Sequence, residues 1–164
     1  MAVTREIKEK ALEKASKIFN DGQATVFVHF SGLTGDDVKE MRAEMYKDGV
    51  GYTVAKKTLI KKAAGESSVN GEIPSLDGEI ALAYSFDDMT APARLVKQFA
   101  GKTDGKVEIV GGVFEGEFKN KEEMTEIANI PSLDVLRGMF VNIINSPIQR
   151  MAIVLDQIAA KKDA

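Results

Sequence analysis

The sequence predicts an α+β fold, one sheet of four strands covered by helices, with a separate helical tail behind it. Three observations lead there. Four short runs rich in β-branched and aromatic residues are separated by stretches of helical periodicity. Strands separated in this way can form one sheet with the helices laid over it. The segment "LRGMFVNIINSPIQRMAIVLDQIAA" (136–160) differs from both: its first three turns are apolar nearly all round, and it contains a proline.

Each element has a local reason. Residues 4–19 place Ile7, Ala11, Leu12, Ala15, Ile18 and Phe19 at helical spacing, and Asp21-Gly22 ends that helix. "ATVFVHF" (24–30) reads as a buried strand. Thr34 caps the next helix, with Asp37 three residues on as the reciprocal partner of a capping box. Val38, Met41 and Met45 share one face of it, and Asp48-Gly49 supplies its stop. "VGYTVA" (50–55) is a second strand, followed by a short helix, "KTLIKKAA", closed by Gly65. Residues 65–78 form the one extended loop. "EIALAYS" (79–85) is a third strand, and Thr90 with Pro92 opens a helix that runs to about Phe99. "KVEIVGGVF" (106–114) is the fourth strand, where Gly111-Gly112 predicts a bulge or a close backbone approach. Asn120 and Glu123 make a second capping box, for a helix reaching Asn129. Pro131 interrupts, Ser132 can cap again, and the terminal helix follows. The division is a body over residues 1–130 and a helical tail over 131–164.

Composition narrows the function. With 44% hydrophobic and 29% charged residues, the 164-residue chain has the make-up of a soluble globular protein. No run approaches the ~18 consecutive apolar residues of a membrane span, and the N-terminus lacks a signal-peptide core. Without cysteine there are no disulfides, thiolate metal sites or cysteine nucleophiles. A cytoplasmic protein is expected. No phosphate-cradling glycine motif is present. His29, the one histidine, alternates with Val28 and Phe30 in a strand and has no orienting partner nearby in sequence. The acid pairs Asp36-Asp37, Asp87-Asp88 and Glu122-Glu123 all stand at helix starts, where the helix dipole accounts for them. No enzyme, metal or cofactor is expected.

Two features lack so simple a reading. The net charge of −3 hides an asymmetry: residues 1–62 carry twelve basic against nine acidic groups, and residues 63–164 carry ten against sixteen. Between Val50 and Ala64 stand Lys56, Lys57, Lys61 and Lys62 with no acid among them. Lys57 and Lys61 share a helix face, while Leu59, Ile60 and Ala63 leave the opposite side for the core. Clustered like charges repel one another and are relieved by a phosphate backbone. Arg5 and Lys8 add positive charge on the first helix, diluted by Glu6, Glu9 and Glu13. The second feature is the tail. Leu136, Met139, Phe140, Ile143 and Ile144 wrap one segment, and Met151, Val154, Leu155 and Ile158 stripe another beyond Pro147. A straight helix of this length spans ~46 Å, more than the ~36 Å across a body of ~130 residues. The overhang calls for a partner, and apolar residues at helical spacing suit other helices.

With these pieces placed, the whole chain resembles the family of bacterial large-subunit ribosomal protein ten, the base of the ribosomal stalk. Four stretches carry the resemblance in order: "FSGLT" (30–34); "VAKKTLIKKA" (54–63); "IALAYSFDD" with "APARLVKQFA"; and "VEIVGGVFEGEF" followed by "IANIPSLDVLRGMFVNIINSPIQRMAIVLDQI". Lys57 stands where the family usually has asparagine, and Gly78-Glu79-Ile80 where it often has Gly-Pro-Thr. The resemblance implies a ferredoxin-like, two-layer body that holds large-subunit rRNA beside a neighbouring stalk-base protein. It also implies a protruding terminal helix on which dimers of the acidic stalk protein dock, which in turn recruit translational GTPases. On this reading Lys56, Lys57, Lys61 and Lys62 meet rRNA phosphates, with Arg5 and Lys8 as further contacts and Thr58 capping the lysine helix. Leu136, Met139, Phe140, Ile143 and Ile144 form one docking segment, and Met151, Val154, Leu155 and Ile158 a second, so two dimers are expected. The competing expectations are an assembly factor with the same body and a regulatory module that pairs through its own tail.

Overall fold

The computed structural model describes residues 5–162 except Ser68, Glu72 and Asp104, with side chains described over 9–158. It divides into two compact units, Met1–Ile130 and Pro131–Ala164. In chain order the first unit runs α1 (Arg5–Asp21), β1 (Ala24–Phe30), α2 (Gly35–Lys47), β2 (Val50–Val54) and α3 (Lys57–Glu66). It continues with β3 (Ile80–Ser85), α4 (Ala91–Lys102), β4 (Val107–Phe114), β5 (Glu117–Asn120) and α5 (Lys121–Ile127). The second unit is α6 (Leu133–Lys162). The architecture is mixed α/β, with one antiparallel sheet and, among the described residues, six helices.

The sheet has five strands in the order β2-β3-β1-β4-β5, one more than the four expected. The extra strand, β5, reads "EFKN", too short and polar to announce itself. Its presence follows from the turn before it. Glu115 and Gly116 both take positive φ, at 53° and 78°. That is the requirement of a two-residue hairpin whose twist suits the flanking strands. Phe114 and Glu117 then pair directly across it.

β1 lies at the centre, antiparallel to β3 from Ala24↔Ser85 to His29↔Ile80 and to β4 on its other side. Both of its faces are buried, with Val26, Phe27 and Val28 fully enclosed. On one face, Val26, Val28, Ala81 and Ala83 pack with Met41 and Met45 of α2, Val96 and Phe99 of α4, and Met124 of α5. On the other, Phe27, Leu82 and Val113 pack with Ala15 and Phe19 of α1, Ile60 and Ala63 of α3, and Leu76. The expected two-layer sandwich is therefore a sheet covered by helices on both sides. The physical reason is in the strands: "ATVFVHF" and "IALAYS" are apolar on both faces, as sheets buried on both sides are.

Gly111 and Gly112 adjoin a bulge and also make a close approach. The β1–β4 register steps from Phe27↔Gly111 to Val28↔Ile109, leaving Val110 unopposed. The extra residue reverses the alternation, so Ile109 faces α4 and α5 while Val113 faces α1 and α3. A Cβ on Gly112 would lie 2.5 Å from the Thr25 carbonyl oxygen and 2.8 Å from Cε of Met124. One on Gly111 would lie 2.8 Å from both the Lys119 carbonyl oxygen and Cγ of Pro74.

Helix ends follow local chemistry. Thr34 Oγ1 accepts from the Asp37 amide at 3.3 Å, and Asp37 Oδ2 accepts from the Thr34 amide at 3.2 Å, the expected capping box. The Asn120 amide donates to the Glu123 carboxylate at 3.0 Å. Gly65 does not close α3. It faces open space, and the helix continues to Glu66, where the Ser67 hydroxyl donates to the Ala64 carbonyl at 2.7 Å. α4 likewise runs past Phe99, to a cap in which the Thr103 hydroxyl donates to the Phe99 carbonyl at 2.7 Å.

The glycine contacts make a test. Gly112→Ala forces a methyl group onto backbone and lowers stability by about 3 kcal/mol. Gly35→Ala, in the open first turn of α2, leaves stability unchanged or slightly raised. Urea melts of the two variants beside wild type check this, and equal midpoints would contradict the packing account.

Candidate nucleic-acid interface and apolar tail

α3 has a buried side and a charged side. Ile60, Ala63 and Ala64 enter the core beside Ala15 and Phe19 of α1. The 3.6-residue period then turns Lys57, Lys61 and Lys62 outward, with Lys56 at the N-cap, and all four are exposed. Lys62 lies 4.0 Å from Glu66. Among the described residues Lys56, Lys57 and Lys61 have no ion-pair partner, so their charge faces solvent uncompensated. Thr58 does not cap the helix. Lys56 occupies the N-cap in extended conformation (φ −66°, ψ 128°) with no side-chain cap bond, and Thr58 sits inside the first turn. Arg5 and Lys8 lie on the backbone of α1, which packs beside α3, but their side chains fall outside the described residues.

Next to the lysines is a cleft of about 440 Å³ that nothing in the sequence announced. The ends of β1 and β2 and the start of β3 form it, through Phe30, Val54 and Ile80, and Lys56, Lys57 and Glu79 also line it. Three segments distant in sequence meet here, so no single motif carries it. Val54, a large apolar residue at the end of β2, is left 51% exposed there.

The other polar candidates are occupied with structure. His29 Nδ1 lies 3.1 Å from the Glu79 carbonyl oxygen, and its ring fills the space where a Cβ on Gly78 would stand. Gly78, at φ +74°, has the backbone freedom for that turn, which accounts for glycine before Glu79-Ile80. Hydrogen bonds from the Thr34 hydroxyl and amide partners hold the Asp37 carboxyl below its usual range. Burial pushes the Asp88 carboxyl up, but hydrogen bonds from the Thr90 amide and hydroxyl, at 2.8 and 2.9 Å, outweigh it and leave it lowered. These acids serve helix starts.

α6 is a different kind of surface. Its α-helix continues without a break across Pro147. Leu136, Met139, Phe140, Ile143 and Ile144 are all exposed, Phe140 and Ile143 by 65% and 70%. So are Met151, Val154, Leu155 and Ile158, together with Leu133, Val135, Val141, Ile148 and Ile153. Exposure of this extent on one helix far exceeds the scattered apolar residues of an ordinary surface. No helix among the described residues is long and apolar enough to cross a membrane.

Comparison with known proteins bears on both surfaces. The family model described as "Ribosomal protein L10" matches residues 3–101, and that described as "Ribosomal protein uL10 C-terminal region" matches residues 130–164. A large ribosomal subunit protein uL10 of Alkaliphilus metalliredigens is 34% identical over 162 residues, covering 99% of this chain and 97% of its own. The protein of the same name from Clostridioides difficile is 35% identical over 161 residues, covering 96% and 94%. That of Shouchella clausii is 31% identical over 163 residues, covering 99% and 98%. The chain thus belongs to the ribosomal protein L10 family, structural proteins of the large ribosomal subunit, which is cytoplasmic in bacteria.

Proposed function

We propose that this chain forms the base of the large-subunit stalk, holding rRNA through its body and dimers of the acidic stalk protein through α6. The observation that carries the reading is the concentration of exposed apolar side chains on α6, which a soluble helix keeps only for a partner. Leu136, Met139, Phe140, Ile143 and Ile144 dock one dimer and Met151, Val154, Leu155 and Ile158 another, with Pro147 between the segments. The docked dimers recruit translational GTPases. A separate family description for residues 130–164 supports treating this segment as a working unit of its own.

In the body, the lysines of α3 meet rRNA phosphates, with Arg5 and Lys8 as further contacts and a neighbouring stalk-base protein alongside. Lys56, Lys57 and Lys61 support this because phosphates would relieve charge that has no ion-pair partner among the described residues. The strand order β2-β3-β1-β4 supports a ferredoxin-like core, to which α1, α3 and β5 are added.

Two experiments test the reading. Native mass spectrometry of the full chain, co-expressed with the acidic stalk protein of its organism, is expected to find four copies bound, and none after truncation behind Asn129. Six copies would refute two docking segments, and none on either form would refute the stalk assignment. For the RNA surface, Lys57→Gln with Lys61→Gln is expected to reduce the slope of log affinity against log salt by about 2. An unchanged slope on large-subunit rRNA would place the phosphates elsewhere.

A further inference from the structure

The cleft beside the lysines has a chemistry that phosphate contacts leave unused. Phe30, Val54 and Ile80 line it with apolar surface, and Lys56, Lys57 and Glu79 line it with charge. Phe30 is half-buried and Ile80 fully so, whereas Val54 is 51% exposed. At about 440 Å³ the cleft falls in the lower part of the size range of small-molecule sites. A continuous A-form duplex does not use such a cleft, because proteins meet it by shape, through its phosphates and 2′-hydroxyls. An unpaired nucleotide does, because its base has an apolar face to bury and its flanking phosphates need cations.

We infer that this cleft takes one unpaired base of the bound RNA, held over Phe30, Val54 and Ile80 with its flanking phosphates on Lys56 and Lys57. The inference rests on the reading of α3 as an RNA surface and adds which form of RNA that surface selects. Charge complementarity argues for this occupant over an apolar peptide. Lys56 and Lys57 are unpaired among the described residues, and a polyanion supplies what they lack. Glu79, which also lines the cleft, repels phosphate and leaves the phosphates to the two lysines. Phe30 offers the base an aromatic neighbour.

The test uses the full chain and large-subunit rRNA transcribed from the same genome. Ultraviolet cross-linking with no added linker, followed by mass spectrometry of nucleotide-bearing peptides, reads the contact in the wild-type protein. The expected result is a base adduct on a peptide containing Phe30 or on one within Val54–Thr58, mapping to a nucleotide outside any duplex. Phe30→Leu keeps apolar volume but removes the ring. It is expected to weaken rRNA binding about tenfold while leaving affinity for a plain 12-base-pair RNA duplex unchanged. Thermal melts confirm that this variant folds, and if it does not, the wild-type adducts decide. RNA binding that weakens with Lys57→Gln but gives no adduct in either segment, with Phe30→Leu binding like wild type, overturns the base pocket and leaves the phosphate surface standing. RNA binding that ignores the lysine variants as well overturns both.

Discussion

The body depends on one constraint, the burial of β1 on both faces. Val26 and Val28 point to one side of the sheet and Phe27 to the other, and all three are closed off from water. Two helical layers are then required. α2, α4 and α5 supply one, and α1 with α3 supply the other, helped by Leu76 and Pro74 from the long loop. The β4 bulge at Val110 makes this possible, since it hands the apolar residues of β4 from one layer to the other midway along the strand. The lysine surface follows from the same constraint. Ile60 and Ala63 must face Phe27 and Leu82, so Lys57 and Lys61 have only solvent to face. Core packing thereby fixes a charged surface without any charged residue in the core among the described residues.

Much of this was legible from local pattern. The first strand begins and ends at the residues its β-branched and aromatic run suggested. Both capping boxes were readable because each is spelled by two residues three apart. What local pattern does not carry depends on contacts between distant segments. β5 has no apolar run and exists because a tight turn returns it to β4. The second helical layer follows from strands apolar on both faces, a pattern that requires two covers but does not say which helices supply them. Gly65 looked like a stop, yet it does not take the positive φ that ends a helix, and Ser67 caps α3 beyond it. Thr58 looked like a cap but entered the helix because Lys56 already occupies the preceding extended position.

The candidate surfaces divide in the same way. That the lysines of α3 would be exposed could be read from the apolar residues between them. The cleft could not, because Phe30, Val54 and Ile80 meet only once three strands share one end of the sheet. The tail was legible in composition alone. An α-helix of 30 residues measures ~45 Å, and from Leu133 to Ile158 its large apolar side chains are exposed. The body spends its apolar residues on itself, whereas α6 keeps its own available. That contrast is the basis for proposing RNA for one unit and protein partners for the other.

The central claim is that the body completes its own core while α6 is completed by another protein. Hydrogen–deuterium exchange of the full chain, alone and with the acidic stalk protein, tests it most directly. The account predicts slow exchange through β1, β3 and β4 in both states, and protection across 133–158 that arises only with the partner. Equal protection of α6 in the lone chain, or a partner effect confined to the body, would contradict it.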